Sequence, residues 1–433
     1  MAEMRNQSSL KNWEASFFTI WIGQALSLLG SNIAQFALIW WLTDLSGSAT
    51  VLSFASLVGL VPGIVLGPIA GAYVDRWNRR RVMIVADTLI ALASLWLAYL
   101  FWIDAIQIWH VYVILFFRAI GGSFHSPAMS ASTSLMVPKE QLTRVAGMNQ
   151  TLHGLLNVFG APLGALAMEL LPLHGVMMID VGTAALAIAP LFWVHVPQPQ
   201  RQESSQKKSQ KQSIWADIRD GAQYIWHWPG LVVLTAAAMI FKVVLTPAFS
   251  LIPLLVKGHF DGGAAQLSLL EAIIGGGVVA GGVLLSVWGG FGKKIYTIIL
   301  GGLGFAVAIL FWGILPGHLF WAALVSGACL GLTLPLVDGP LMAILQSTVA
   351  PEMQGRVFTL FGSLIWITSP LGLALAGPIS DWLGLQILYV VAGILTGSTT
   401  LLFLFVPAIR NIEENAQGGE SKLDQLELVE VEA

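Results

Sequence analysis

Twelve long apolar segments constrain the fold of this chain more than any other feature of its sequence. Each exceeds the roughly 20 residues that a helix needs to cross about 30 Å of hydrocarbon. Of 433 residues, 56% are hydrophobic and only 10% are charged, and the mean hydropathy is +0.76. A soluble domain has no use for so much apolar surface. The spans are predicted at residues 17–43, 50–74, 82–103, 108–134, 145–171, 175–196, 229–256, 264–289, 295–315, 318–345, 357–380 and 383–407.

The distribution of basic residues predicts how the chain is oriented. Eighteen of the 21 lysines and arginines fall on the side that also holds both termini, whereas only Lys257 falls on the other side. Basic loops stay in the cytoplasm, so both termini are expected there, in a multi-pass protein of the cell (inner) membrane. The first apolar run is longer than the core of a signal peptide, and we expect it to be retained.

Several function classes lack support in the sequence. The net charge is −3 and the acids concentrate in the tail, so no nucleic-acid partner is expected. The single cysteine, Cys329, excludes a disulfide framework and a cysteine-based metal site. The motifs H-E-x-x-H, G-x-S-x-G and G-x-x-x-x-G-K-[ST] are absent, so we predict no catalytic residues, no metal and no cofactor.

The chain divides into four predicted parts. Residues 1–196 form an N-terminal six-helix bundle and residues 229–407 a C-terminal one. Residues 197–228 form a cytoplasmic linker that is polar at first, and that ends in a segment with isoleucines on one helical stripe, as in an interfacial helix. Residues 408–433 form an acidic cytoplasmic tail.

The two bundles are predicted to be copies of each other. Pro162-Leu163-Gly164 recurs as Pro370-Leu371-Gly372, and the loop arginine Arg144 recurs as Arg356, with separations of 208 and 212 residues. The sequence therefore predicts an all-α polytopic membrane protein with twelve transmembrane helices in two pseudo-symmetric six-helix bundles. Such repeats place a substrate site near the midplane of the membrane, between the two bundles.

A short basic turn follows the second span in the segment GPIAGAYVDRWNRRR. Small residues lie four apart on one helix face, where they allow close approach of a neighbouring helix, and an acid follows one turn later. This motif comprises Gly67, Gly71, Asp75, Arg76, Arg79 and Arg80. A degenerate copy of the motif lies 215 residues later and comprises Gly282, Ser286, Gly290 and Lys294. In this copy Gly290 takes the place of the acid.

With these motifs the chain resembles the major facilitator superfamily over residues 13–407. Gly71, Asp75, Arg76, Arg79 and Arg80 match that family's loop signature G-x-x-x-D-R-x-x-R-R, and Arg118 with Gly122 matches its R-x-x-x-G signature. Within the family, the chain is most similar to the Mef-type macrolide-efflux branch of drug:proton antiporters. It departs from the antiporter element G-P-x-x-G-G, which survives only in the loosened form Gly160-Ala-Pro162-Leu-Gly164.

The resemblance implies a function as well as a fold. It implies secondary active efflux by alternating access, with protons as the coupling ion, in a monomer embedded in the lipid bilayer. The expected substrate is a bulky amphipathic small molecule such as a macrolide, so antibiotic resistance is the expected outcome. Export of a siderophore or another endogenous metabolite is the alternative, and a membrane-embedded sensor or scaffold is a further one.

The resemblance also assigns the basic turn to a gate. Asp75 is expected to contact a helix end of the other bundle, and Arg79 with its neighbours to hold the inner gate closed. The alternative is that the arginines only set the topology. Because Gly290 replaces the acid in the second copy, the latch is expected on one side only.

Charges in the middle of predicted spans are costly, so they normally face protein or a water-filled cavity. The candidates for proton coupling are Asp338 and Glu271, with Arg118 and Lys242 as cations that could pair with them. Burial is one way in which a carboxylate comes to exchange a proton near neutral pH. Permanent pairing of Lys242 with Asp338 or Glu271 is the structural alternative.

In the superfamily, the first, fourth, seventh and tenth helices line the central cavity. The substrate-cavity candidates on these helices are Gln24, Asn32, Gln35, Arg118, Phe124, Phe241 and Asp338, although each aromatic residue could equally serve packing. Asp87 and Asp180 are expected near helix ends, where water solvates them. His125 is expected to be a packing residue rather than a proton relay.

Overall fold

The computed structural model describes residues 13–74, 76–194, 196–198 and 214–413, without the side chains of Ala72 and residues 214–218. No strand occurs within these ranges. Twelve helices of 19 residues or more follow one another, labelled α1 to α12: Trp13–Ser46, Ala49–Val74, Arg79–Trp102, Ile108–Met136, Leu142–Leu170, Leu173–Leu191, Pro229–Ser250, Ala264–Trp288, Lys294–Ile314, Phe320–Thr348, Pro351–Leu383 and Leu385–Phe405.

Each of the twelve helices corresponds to one predicted span. Eleven of them are long and apolar enough to cross a membrane by length and composition; α4, which carries Arg118 and two histidines, is long enough but more polar. The seventh span was predicted to run to residue 256, and this is wrong. Helix α7 ends at Ser250 and the short helix Ile252–Gly258 follows. The helix breaks here because Pro253 has no backbone N–H to continue the helical hydrogen bonds, and because its ring clashes with the preceding helical turn.

The first bundle, α1–α6, is built from a small set of helix pairs. Helix α1 packs against α5 and α6, α3 packs against α4 and α6, and α2 packs against α4. A core of buried side chains lies at one end of this bundle and includes Phe17, Val74, Met83 and Leu191. Further apolar side chains, such as Leu38, Leu97 and Ile114, are buried elsewhere between the helices, and many others are exposed, as expected for helices whose solvent is lipid.

The second bundle, α7–α12, repeats this pairing. Helix α7 packs against α11 and α12, and α9 packs against α10 and α12. Gly277 and Gly281 of α8 lie directly against the backbone of α10, which matches the pair of α2 and α4 in the first bundle. The predicted internal repeat is therefore present in the packing of the helices.

Two glycines show this repeat at the level of single residues. A Cβ atom added to Gly164 of α5 would lie 2.8 Å from the Phe36 side chain of α1. A Cβ atom added to Gly372 of α11 would lie 2.0 Å from the Val243 carbonyl oxygen of α7. Both glycines thus permit the close crossing of the fifth and first helices of their bundle.

Backbone contacts divide the chain into two compact units. The first comprises residues 1–204 with residues 252–272, and the second comprises residues 205–251 with residues 273–433. In the second unit, the predicted linker helix spans Ile214–His227 and packs against α11 and α7. Its Ile225 is buried, and its Asp220 lies 3.3 Å from Arg356. Most of the predicted acidic tail, from residue 414, lies outside the described residues.

Candidate functional site

A buried ion pair joins four helices of the first bundle. Arg118 Nη1 of α4 lies 2.6 Å from Asp180 Oδ2 of α6, and the Asp180 side chain is 0% exposed. Ser94 of α3 donates to Asp180 Oδ2 at 2.6 Å, and Ser31 of α1 donates to Oδ1 at 2.7 Å. Arg118 also donates to the Ser31 carbonyl at 3.2 Å. We call these four residues the arginine layer.

The arginine layer holds its charges in place. A guanidinium group stays protonated in proteins, and Asp180 accepts three donors at 3 Å or less, so the carboxylate is well satisfied. The expectation that Asp180 lies near a solvated helix end is wrong, because its helix begins at Leu173 and the carboxylate faces the bundle. Removing one partner of such a pair costs about 3–5 kcal/mol, because the other charge is left buried.

A second carboxylate is buried in the same bundle. Asp87 of α3 is 4% exposed, its Oδ2 accepts a hydrogen bond from Gln24 Nε2 of α1 at 2.9 Å, and its Oδ1 lies 3.3 Å from His125 Nε2 of α4. We call these three residues the aspartate–histidine layer. The prediction of a solvated Asp87 is wrong here, because the carboxylate lies inside the bundle. The prediction that His125 serves packing rather than proton relay stays a prediction.

A cavity of about 330 Å³ opens beside the arginine layer. It is lined by α1, α2 and α4, with polar groups from Gln35, Ser56 and Arg118 among aliphatic side chains. Two of the predicted substrate-cavity residues, Gln35 and Arg118, thus line one space. Its lining presents polar and apolar surface to a bound molecule side by side, and small-molecule sites combine the two in this way.

The other predicted cavity residues of the first bundle lie elsewhere. Asn32 is exposed and donates to the Leu28 carbonyl of its own helix at 2.7 Å. Phe124 stacks on Trp77, with ring centroids 6.2 Å apart, and lines a different crevice of about 650 Å³ beside the basic turn. Gln24 is buried and its amide is bound to Asp87.

In the second bundle the charges are held less tightly. Lys242 Nζ of α7 lies 4.0 Å from the centroid of the Trp366 ring of α11, which is a cation–π contact. Asp338 of α10 is exposed and lies close enough to Lys242 for their charges to interact. Within the described part of the chain, they form no ion pair within 4.0 Å. Phe241 is half-buried beside Lys242, and Glu271 is half-buried in α8.

The basic turn is bound to its own bundle. Asn78 caps α3 by accepting from the backbone N–H of Arg81 at 3.2 Å. Arg79 is buried, and its Nη1 donates to the Ala131 carbonyl of α4 at 2.7 Å. Arg80 donates to the Phe192 carbonyl beyond α6, whereas Arg76 is exposed. Asp75, the acid of the motif, lies outside the described residues.

The small-residue face of the motif does not pack as expected. No described atom lies within 4 Å of a Cβ added to Gly67 or Gly71. The same is true of Gly282, the counterpart of Gly67 in the second bundle. The close helix approach that the glycine spacing predicted is therefore absent from the described structure.

The second copy of the motif has a different backbone. Gly289 and Gly290 have φ values of 77° and 82°, the left-handed region that favours glycine. Lys294 Nζ donates to Glu413 Oε1 at 2.9 Å, and in the first bundle the Arg79 backbone N–H donates to Gln198 Oε1 at 3.1 Å. Both pairs are related by the same 215-residue offset, so the repeat continues beyond the sixth and twelfth helices.

Sequence reasoning missed the partners of the two buried carboxylates. Ser31 and Ser94 carry no recognisable motif, and Asp180 lies 62 residues from Arg118. A usable signal was nevertheless present, since Asp87 and Asp180 interrupt apolar runs of predicted spans. An ionisable residue in such a run indicates a partner on a neighbouring helix.

Comparisons with known proteins agree with this architecture. The sequence profile described as Major Facilitator Superfamily matches residues 20–290 and 243–429. Macrolide efflux protein A of Streptococcus pyogenes is 33% identical over 402 residues, covering 93% of this chain and 98% of that protein. Multidrug efflux pump Tap of Mycolicibacterium fortuitum is 26% identical over 400 residues, covering 89% and 94%.

A solved structure shows the same fold. The crystal structure of a POT family transporter in complex with a thioalcohol-conjugated peptide superposes with a TM-score of 0.68 at 11% identity, covering 90% of this chain and 95% of that one. The helix order, the repeated packing and the family profile agree with one another. The chain is a multi-pass membrane transporter that belongs to the Major Facilitator Superfamily.

Proposed function

We propose that this chain exports a bulky amphipathic compound, such as a macrolide antibiotic, by proton antiport through alternating access. The observation that carries the proposal is the cavity beside Arg118, which combines six small or aliphatic lining residues with the polar groups of Gln35, Ser56 and Arg118. The similarity to Macrolide efflux protein A over nearly the whole chain supports the same substrate class.

The electrostatics of this cavity favour a neutral or cationic substrate. Arg118 would attract an anion if its charge were free, but Asp180 compensates that charge at 2.6 Å. The exposed carboxylate of Asp338 adds negative charge in the second bundle. A macrolide carries a basic amine on a large apolar body, which suits this combination. Export of a siderophore or another anionic metabolite is the second candidate, favoured if Arg118 becomes free during transport.

Asp338 is the proposed coupling residue of the second bundle. A carboxylate in the middle of a 29-residue helix that stays accessible must face water rather than lipid, since exposure to hydrocarbon is costly. Lys242 is close enough for the two charges to interact, so protonation of Asp338 and loosening of this interaction would occur together. Glu271 is the second candidate for this role.

The orientation and the gate belong to the same proposal. Both termini and the basic turn lie in the cytoplasm, on the positive-inside rule, in the inner membrane. The protein acts as a monomer. Asp75 is proposed as part of the cytoplasmic gate, and Asp75→Asn is expected to leave the protein in the membrane and to reduce efflux.

Drug susceptibility tests the proposal directly. We expect a pump-deficient bacterial host that expresses the chain to tolerate macrolides better than the empty host, and an uncoupler to abolish this gain. Asp338→Asn should lose the gain at equal expression. Glu169→Gln, a matched change of an exposed carboxylate at the end of α5, should keep it. A host with no altered tolerance to any macrolide would contradict the proposed substrate, and full activity of Asp338→Asn would contradict the proposed coupling residue.

A further inference from the structure

The two polar layers of the first bundle form a ladder with a regular spacing. Gln24 and Ser31 lie seven residues apart on α1, Asp87 and Ser94 seven apart on α3, and His125 and Arg118 seven apart on α4. Seven residues make two helical turns, or about 10.5 Å, and return a side chain to nearly the same face. The same three helices therefore contribute one residue each to the aspartate–histidine layer and one each to the arginine layer.

The layers differ in whether their charge can change. In the arginine layer, Asp180 faces a guanidinium group that does not release its proton, so this carboxylate always has a cation beside it. In the aspartate–histidine layer, the partners of Asp87 are an amide and an imidazole. An imidazole gains and loses a proton in the physiological range. Of the two layers, only the aspartate–histidine layer contains a side chain of this kind.

The number of protons in this layer follows from its surroundings. Asp87 and His125 are together neutral when they share one proton, carried either by the carboxylate or by the imidazole. The other titratable group facing Asp87 is Asp180 of α6, which is near enough to act on it and which Arg118 compensates. From α1 the facing group is the neutral Gln24. Loss of the shared proton would leave a buried carboxylate without a cation, and this is strongly unfavourable unless the site opens to water.

Geometry gives the shared proton a route. The His125 side chain is 16% exposed, compared with 6% for Asp87, so the imidazole is the more accessible member of the pair. Its Nε2 faces Asp87 Oδ1 and makes no hydrogen bond within the described part of the chain. The imidazole can therefore pass a proton between water and the carboxylate after a small movement of α4 against α3.

We infer that Asp87, His125 and Gln24 form a proton-binding site in the first bundle, and that this site releases its proton during the transport cycle. The inference rests on the proposed antiport. Helices α1 and α4 carry both the aspartate–histidine layer and the cavity residues Gln35 and Arg118. A movement of α4 against α1 and α3 at the aspartate–histidine layer would therefore also move the cavity walls where substrate would bind.

Transport by the purified full-length protein in proteoliposomes tests the site. The probe is radiolabelled erythromycin, measured both as accumulation driven by an imposed pH gradient and as counterflow exchange without a gradient. We expect Asp87→Asn and His125→Gln each to lose gradient-driven accumulation and to keep counterflow. The matched controls Glu169→Gln and His153→Gln change exposed residues of α5 and should behave as the wild type. Undiminished accumulation by Asp87→Asn would overturn the inference.

A second measurement separates failure of the site from failure of the antiport proposal. Infrared difference spectra of the wild type after a pH jump should contain the band of a protonated carboxyl group, and this band should vanish in Asp87→Asn and shift in His125→Gln. Its persistence in Asp87→Asn would overturn the site even if transport is proton-driven. If the wild type ignores the pH gradient while the band behaves as expected, the proton site stands and the antiport proposal fails.

Discussion

The two bundles share one packing plan but use their charges differently. In the first bundle, Asp180 and Asp87 are buried and each contacts side chains from at least two other helices. In the second bundle, Asp338 is exposed, and Lys242 rests on an aromatic ring rather than on an acid. A repeated scaffold can thus bury its acids between helices in one half and leave an acid accessible in the other.

This difference suggests a division of labour. Helices that are tied together by buried ion pairs move as one body, because separating the charges is costly. Accessible charges can instead change partner or protonation at small cost. The arginine layer is therefore suited to hold α1, α3, α4 and α6 of the first bundle together, whereas the accessible charges of the second bundle are suited to change partner.

The largest expected effect is the loss of the arginine layer. Asp180→Asn should lower the free energy of unfolding by about 3–5 kcal/mol, because Arg118 is left as an uncompensated buried cation. Asp338→Asn should cost much less, since its carboxylate is accessible. Thermal unfolding of both variants in the same detergent measures the difference. Equal losses would remove the contrast between the bundles.

A further change shows whether the charge or the packing matters. In the double variant Arg118→Met with Asp180→Leu, the arginine layer holds no charge. Most of the stability that Asp180→Asn loses should therefore return. Failure of the double variant to recover would mean that the layer acts through its hydrogen bonds to Ser31 and Ser94 rather than through charge.

An intermediate effect is expected at the glycine crossings. Gly372→Ala places its Cβ against the Val243 carbonyl, which is backbone. Gly164→Ala meets the Phe36 side chain, whose ring can rotate but whose Cβ, 2.9 Å away, moves only with the backbone of α1. We expect Gly372→Ala to cost about 1–3 kcal/mol and Gly164→Ala to cost less. Gly67→Ala, at an open position, is the control. A greater loss at Gly164 would show that Phe36 is held as rigidly as backbone.

The smallest effect on stability is expected at Glu413, which occupies the position equivalent to Gln198 of the first bundle. Glu413→Gln gives the second bundle the glutamine that the first bundle has at Gln198. The ion pair with Lys294 is partly exposed, with side-chain exposures of 39% and 18%, so its loss should cost no more than about 1 kcal/mol. The shift in melting temperature should shrink further at high salt. A large shift that salt does not reduce would mean that Glu413 has a role beyond this pair.

Sequence predicted the scaffold well because its signals are local. An apolar run can be recognised within one short stretch of sequence, and so can the segment that ends in Gly164 or Gly372. The offset between the two halves follows from the positions of these segments. The contacts of Asp87 and Asp180 could not be predicted, because each joins helices distant in the chain and involves serines and a glutamine that look unremarkable. The predicted environment of the two acids was also wrong. A small error in a predicted helix boundary is enough to assign a buried residue to the solvated end of a helix.

The left-handed backbone at Gly290 has an evolutionary consequence. An aspartate there would need a φ value that side-chain-bearing residues rarely adopt, and its Cβ would lie 2.7 Å from Thr297 Oγ1. Aspartate is one of the few residues that tolerate this region, as Asp104 and Asp261 do in this chain, so the contact with Thr297 is the larger obstacle. Substitution of an acid for Gly290 therefore requires Thr297 to move, and the two loops are no longer interchangeable position by position.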